Sequence, residues 1–71
     1  MKLPRDISGG AAVKALKRLG FEVVRQEGSH IRMSKGNLRL TVPNHKAIAP
    51  KTLQTMLRQA GVELDKFLEE L

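Results

Sequence analysis

The chain has 71 residues, 41% of them hydrophobic, and its thirteen Lys and Arg against seven Asp and Glu give a net charge of +6. This length allows a single small domain over residues 1–71, with one compact core and no deep, enclosed substrate cavity. Because cysteine is absent and no apolar run reaches the roughly 18 residues of a transmembrane helix, we expect no disulfide, no thiolate metal site and no membrane partner, and a cytoplasmic protein.

The first predicted element is a helix that follows Ser8. Serine is a favourable N-cap, and Gly20 stands where a left-handed residue would end the helix. The apolar residues between them recur at helical spacing and predict one buried face: Ala12, Val13, Leu16 and Leu19.

After Gly20 the apolar period changes to two, which predicts three strands. Their apolar residues are Phe21 and Val23 in the first, Ile31 and Met33 in the second, and Leu38, Leu40 and Val42 in the third. The stretch 35–38 suits a two-residue hairpin turn with Gly36 at its first central position. That register places Met33 opposite Leu40. A four-residue loop would also match the faces, whereas a three-residue loop would not.

Two helices complete the predicted order. Pro50 near the first turn and Gly61 just past the end delimit one of them, and a shorter one follows. Their apolar faces are Leu53, Met56, Leu57 and Ala60 in the longer helix and Leu64, Phe67, Leu68 and Leu71 in the shorter. The order α-β-β-β-α(-α) predicts an α+β fold in which helices cover one face of a three-stranded antiparallel sheet.

The period of two also assigns the side chains that face solvent. If the aliphatic residues of the second and third strands contact the helices, the opposite face carries His30, Arg32, Ser34, Arg39 and Thr41. An imidazole exchanges protons near neutral pH, which suits general acid–base catalysis. RNA supplies its own nucleophile, the 2′-OH, so His30 is a candidate catalytic residue that needs no metal.

The basic residues around His30 indicate a polyanionic partner. Between Gly28 and Val62 the chain has no carboxylate. Arginine binds phosphate through two donors at once, so the arginines of the predicted solvent face are candidate phosphate ligands. The predicted RNA contacts are Arg32 and Arg39, with Lys35, Lys46 and Lys51 as peripheral ones.

A second histidine follows the third strand. His45 is either a loop residue bonded to nearby backbone or a second proton-transfer or phosphate-binding group. In the two-residue-turn register His30 lies opposite Pro43, which could bring His45 near the same face. The carboxylates are scattered and the two histidines are fifteen positions apart, so we expect no metal site and no cofactor.

The chain resembles the HicA family, the RNA-cleaving toxins of bacterial and archaeal toxin–antitoxin pairs. The matching segments follow in order along the chain: Ser8-Gly9, Ala15–Gln26, Gly28-Ser29-His30, Thr41–His45, Thr52-Leu53, Leu57–Gly61 and Phe67-Leu68. The resemblance implies a fold like the double-stranded RNA-binding domain, His30 as the catalytic residue of an mRNA interferase, and a HicB-type antitoxin as partner. Lys51 stands where the family commonly has glycine.

Two other functions fit parts of the sequence. A double-stranded RNA-binding module without catalysis would explain the charge and the fold, but not the turn at Gly28-Ser29-His30. A protein-interaction domain that binds an acidic partner would explain the charge alone. The endoribonuclease accounts for all three features.

Overall fold

The structure, a computed structural model, describes residues 6–71. Three helices and three strands follow one another in the order α1-β1-β2-β3-α2-α3. Their bounds are α1 Gly9–Arg18, β1 Glu22–Glu27, β2 His30–Lys35, β3 Leu38–Pro43, α2 Pro50–Ala60 and α3 Leu64–Glu69. The strands form one antiparallel sheet in the order β1-β2-β3. The predicted α+β fold is confirmed.

The ends of α1 and α2 lie where the sequence predicts them, whereas α3 ends at Glu69, before Leu71 of its predicted apolar face. The Ser8 hydroxyl accepts a hydrogen bond from the Ala11 backbone N–H at 3.1 Å and caps α1. Gly61 follows α2 in the left-handed conformation, with φ of 67°. None of the helices in residues 6–71 combines the length and the hydropathy needed to cross a bilayer.

Both hairpins close through two-residue turns that begin with glycine. Gly28 and Gly36 have φ values of 58° and 59°, as the first central position of such a turn requires. The predicted register is confirmed, since Met33 lies opposite Leu40 and His30 lies opposite Pro43.

One cluster of buried side chains lies between the sheet and the helices. Strands β2 and β3 alternate between buried and exposed residues, so a single face of each contributes to the core. The buried apolar residues are Ile7, Ala12, Ala15, Leu16, Phe21, Ile31, Met33, Leu40, Val42, Ile48, Leu53, Met56, Leu57, Ala60 and Phe67. Helices therefore cover one face of the sheet and leave the other open.

Strand β1 and one residue of β3 differ from the prediction. Phe21 is buried but precedes β1, and no residue of β1 is buried. The pairing of β1 with β2 shifts between Val23 and Arg25, so Val24 has no partner in the register. Leu38, predicted to contact the helices, is 41% exposed because it lies beside Gly61, where α2 has already ended.

Candidate active site on the open sheet face

The solvent side of the sheet, called the open face below, is built from three cross-strand rows. Residues directly opposite each other in antiparallel strands project to the same side. The rows, from β1 through β2 to β3, are Glu27–His30–Pro43, Arg25–Arg32–Thr41 and Glu22–Ser34–Arg39. The open face therefore joins a histidine, three arginines and two carboxylates, of which Glu27 is next to the histidine.

His30 is the first residue of β2 and follows the Gly28-Ser29 turn directly. Its side chain is exposed, because the buried positions of β2 are the alternate ones, Ile31 and Met33. The predicted placement of His30 on the solvent side of the sheet is confirmed. A ribose can reach the imidazole from solvent without any opening of the core.

Two guanidinium groups lie beside His30 and share one carboxylate. The Glu27 Oε1 atom is 3.4 Å from Arg25 Nε and 3.6 Å from Arg32 Nε. All three side chains are about half exposed or more, so water screens both ion pairs and each contributes little to stability. An arriving phosphate can therefore replace the carboxylate of Glu27 at modest cost.

The sequence pattern did not identify Arg25 and Glu27 as site residues. Strict alternation from Phe21 and Val23 would place both on the helix-covered face. The unpaired Val24 reverses the alternation and turns them to the open face. The available signal was their charge, since a charged pair is rarely placed against an apolar core.

A shallow groove of about 800 Å³ lies on the open face beside the rows of Arg32 and Ser34, and His30 is not among its lining residues. Arg25, Arg32, Arg39 and Thr41 line it, and it reaches Gln59 of α2. The sequence has no Trp or Tyr, and its two Phe residues are buried in the core. The groove thus offers cationic and hydroxyl groups to a phosphodiester backbone but no aromatic ring on which a base could stack.

The segment that carries His45 is tied to the turn before His30. The Asn44 backbone N–H donates to the Ser29 carbonyl at 2.7 Å, and the Gly9 N–H donates to the His45 carbonyl at 2.9 Å. Gly9 is buried against this segment: a Cβ atom there would lie 2.6 Å from the Pro43 carbonyl oxygen. These contacts place the segment at the end of the sheet where His30 lies. The His45 side chain is exposed there.

One protein-family model matches most of the chain. The model of the HicA toxin of bacterial toxin–antitoxin systems matches residues 11–62. That range runs from the first turn of α1 through the whole sheet to the end of α2. The chain belongs to the HicA toxin family. It is therefore a toxin of a toxin–antitoxin system, and it has an antitoxin as partner. A comparison with curated proteins gave no match.

The lysines predicted to contact RNA do not form one group in the HicA toxin. Lys35 lies on the helix side of the sheet, where its ammonium donates to the Leu19 carbonyl at 2.9 Å and lies 5.9 Å from the centre of the Phe21 ring. Lys35 is therefore not brought together with His30. Lys46 is exposed beside His45, and Lys51 is exposed in the first turn of α2.

Carboxylates and histidines are the toxin's candidate metal ligands. Within residues 6–71, no group of three or more His, Asp or Glu side chains is close enough to hold a metal ion. The carboxylate nearest to His30 in the sheet register, Glu27, is paired with guanidinium groups. The chemistry available on the open face is proton transfer by imidazole and charge stabilisation by arginine.

Proposed function

We propose that this HicA toxin is an mRNA interferase, an endoribonuclease that acts without a metal and uses His30 as its catalytic residue. The observation that supports this proposal most directly is the placement of His30. Its exposed imidazole lies at the first residue of β2, one cross-strand row from Arg25 and Arg32. These are the groups that cleavage by the 2′-OH needs: a proton acceptor and cations for the phosphate.

The proposed reaction is an internal displacement at phosphorus. His30 takes the proton of the ribose 2′-OH, and the 2′-oxygen forms a bond to the adjacent phosphorus. The bond from phosphorus to the 5′-oxygen breaks, and that oxygen leaves with a proton from an acid, for which His45 is the candidate. The products are a 2′,3′-cyclic phosphate and a 5′-hydroxyl. Arg25 and Arg32 bind the phosphate oxygens while negative charge accumulates on them. Arg39, two rows from His30, binds a neighbouring phosphate of the same strand.

The partners follow from the same surface. Among residues 6–71, the groove is lined by three arginines, hydroxyl groups and aliphatic side chains but by no aromatic ring, which favours recognition of the RNA backbone over base identity. A HicB-type antitoxin would inhibit the toxin by covering the open face, because His30 and the arginines are exposed there. We place the toxin in the cytoplasm, where its mRNA substrate is found.

The test compares wild type with His30→Ala in a chelator-containing buffer. We expect the purified wild-type protein to cut RNA under these conditions and to leave 2′,3′-cyclic phosphate ends. His30→Ala should lose both the cutting and the growth arrest that induced expression causes. Circular dichroism should show that the variant is folded, because an exposed side chain contributes little to the core.

The possible results separate the proposed function from its alternatives. Equal cutting by wild type and His30→Ala would contradict the role of His30, and cutting that requires an added metal would contradict the metal-free mechanism. Salt-sensitive binding of duplex RNA without cleavage at any pH would support a non-catalytic RNA-binding module instead. Failure to bind any RNA at low salt would support a domain that binds an acidic protein.

A further inference from the structure

A second groove lies between β3 and α2, on the far side of β3 from His30. It has a volume of about 280 Å³ and is called the α2 groove below. Its lining residues are Thr41, Lys51, Thr52, Thr55, Met56 and Gln59. Thr41 and Gln59 also line the groove of the open face, so the two grooves are neighbours at the edge of β3.

The α2 groove presents hydrogen-bond donors along a line. Lys51, Thr55 and Gln59 follow one another at intervals of four residues, which places them on one side of α2 over about 12 Å. All three are exposed, and the buried Met56 forms the floor between them and the sheet. An ammonium, hydroxyls and an amide are the groups that contact phosphate and ribose oxygens without reading bases.

The charge around the α2 groove selects a polyanion over other ligands. β3 and α2 both lie within the part of the sequence that has no carboxylate, from Gly28 to Val62. Arg39 lies at the open-face end of this path and Lys51 at its other end. In the part of the chain that the structure describes, no carboxylate lines either groove, so a chain of phosphates that runs from Arg39 to Lys51 contacts cations and neutral groups.

We propose that the RNA strand bound at His30 continues over Thr41 into the α2 groove, where Lys51, Thr55 and Gln59 bind its sugar–phosphate backbone. This proposal rests on the proposed function, because it takes RNA as the substrate of the open face. The three strands of the sheet span only about 10 Å from β1 to β3. A short RNA centred on His30 stays on the open face, whereas a longer one reaches α2.

The chain itself offers a control on the flank of α2 that lies outside the groove. Gln54 and Arg58 are exposed and line a separate hollow that contains neither Thr41 nor Gln59. The pair Lys51→Gln/Gln59→Ala therefore changes the α2 groove, and Gln54→Ala/Arg58→Gln removes one positive charge and one glutamine outside that groove. Both pairs are made in the His30→Ala background, so that the RNA stays intact during the measurement.

The experiment measures the dissociation constants of RNAs of about twenty and about three nucleotides at several salt concentrations. We expect Lys51→Gln/Gln59→Ala to weaken binding of the long RNA about fivefold to tenfold, as the loss of two exposed polar contacts predicts. The slope of log K against log salt should fall by about 0.7, one phosphate contact to a single strand. The short RNA and the control pair should change less than about twofold.

Several results would overturn the proposal. Unchanged binding of the long RNA by Lys51→Gln/Gln59→Ala would remove the α2 groove from the RNA path, as would equal weakening by the control pair. Loss of antitoxin binding with unchanged RNA binding would assign the groove to the antitoxin. If the groove variants weaken RNA binding as expected but the wild-type protein cuts no RNA, the proposed catalytic function fails and the RNA path stands.

Discussion

Gly9→Ala tests the contact that holds the His45 segment against α1. Gly9 is the first residue of α1, and an added Cβ would lie 2.6 Å from the Pro43 carbonyl oxygen and 2.7 Å from Asn44 Cα. Ordinary van der Waals contact begins at 3.4 Å, so the helix and the segment must separate by several tenths of an ångström. Both neighbours are backbone atoms, and the Gly9–His45 and Asn44–Ser29 hydrogen bonds resist that movement.

The magnitude follows from two opposing effects. Overpacking of a tight contact costs about 1–3 kcal/mol. Alanine in place of glycine in a helix recovers at most about 1 kcal/mol, and less in the first turn. The net loss is about 1–2 kcal/mol. For a domain of this size each kcal/mol lowers the melting temperature by about 4–8 °C, so Gly9→Ala should melt about 5–15 °C below wild type.

Thermal unfolding followed by circular dichroism measures this effect, and Gly10→Ala is the control. A Cβ at Gly10 meets no atom closer than the Ser8 hydroxyl oxygen at 4.0 Å, so this variant should gain helix propensity and melt at or slightly above wild type. RNA cleavage should fall in Gly9→Ala only, since Pro43 is the cross-strand neighbour of His30. A Gly9→Ala protein that melts as high as wild type would refute the reasoning.

Three further substitutions test the core, the position of Lys35 and the role of Glu27. Phe67→Ala removes a fully buried ring and should cost about 3–5 kcal/mol, measured by urea unfolding. Lys35→Gln loses the bond to the Leu19 carbonyl and should lower stability by about 1 kcal/mol or less while RNA cleavage stays unchanged. Glu27→Gln frees both arginines that the carboxylate holds and should tighten RNA binding about twofold to fivefold, measured by titration at low salt.

Each of these variants has a result that would contradict its prediction, and those at Phe67 and Glu27 also have a control variant. The control for Phe67→Ala is Leu71→Ala, which removes a side chain that is 49% exposed and should change the unfolding midpoint little. If both variants lost the same stability, Phe67 would not be the residue that anchors α3. If Lys35→Gln lowered the rate of RNA cleavage, the Lys35 ammonium would contact the RNA, contrary to the prediction. The control for Glu27→Gln is Glu69→Gln, which changes the net charge by the same amount but lies on α3, away from the open face. If Glu69→Gln tightened RNA binding equally, the effect of Glu27→Gln would come from net charge and not from release of the two arginines.

Much of the fold was predictable because its signals are local. Ser8 caps α1 through a bond to a residue three positions away, and Gly36 meets the φ requirement of its own turn. Once that turn has two residues, the alternation in β2 and β3 follows residue by residue. The exposed positions of His30 and Arg32 then follow from the alternation alone.

The charge of Lys35 was a poor guide to its face, because the alternation of β2 decided it. The period that buries Ile31 and Met33 also turns Lys35 toward the helices. There its ammonium reaches the carbonyl of Leu19 at the end of α1. The long aliphatic part of the side chain allows this position without burial of the charge.

The sequence by itself determined the element order, the hairpin register and the open-face position of His30, because these depend on contacts within a few residues or on strict parity along a strand. Only the tertiary structure decided that Arg25 and Glu27 join His30, since one unpaired residue, Val24, inverts the parity of β1. It also decided the approach of Gly9 to Pro43 and the meeting of α2 with Thr41. These depend on how separate elements pack, which no local pattern of residues specifies.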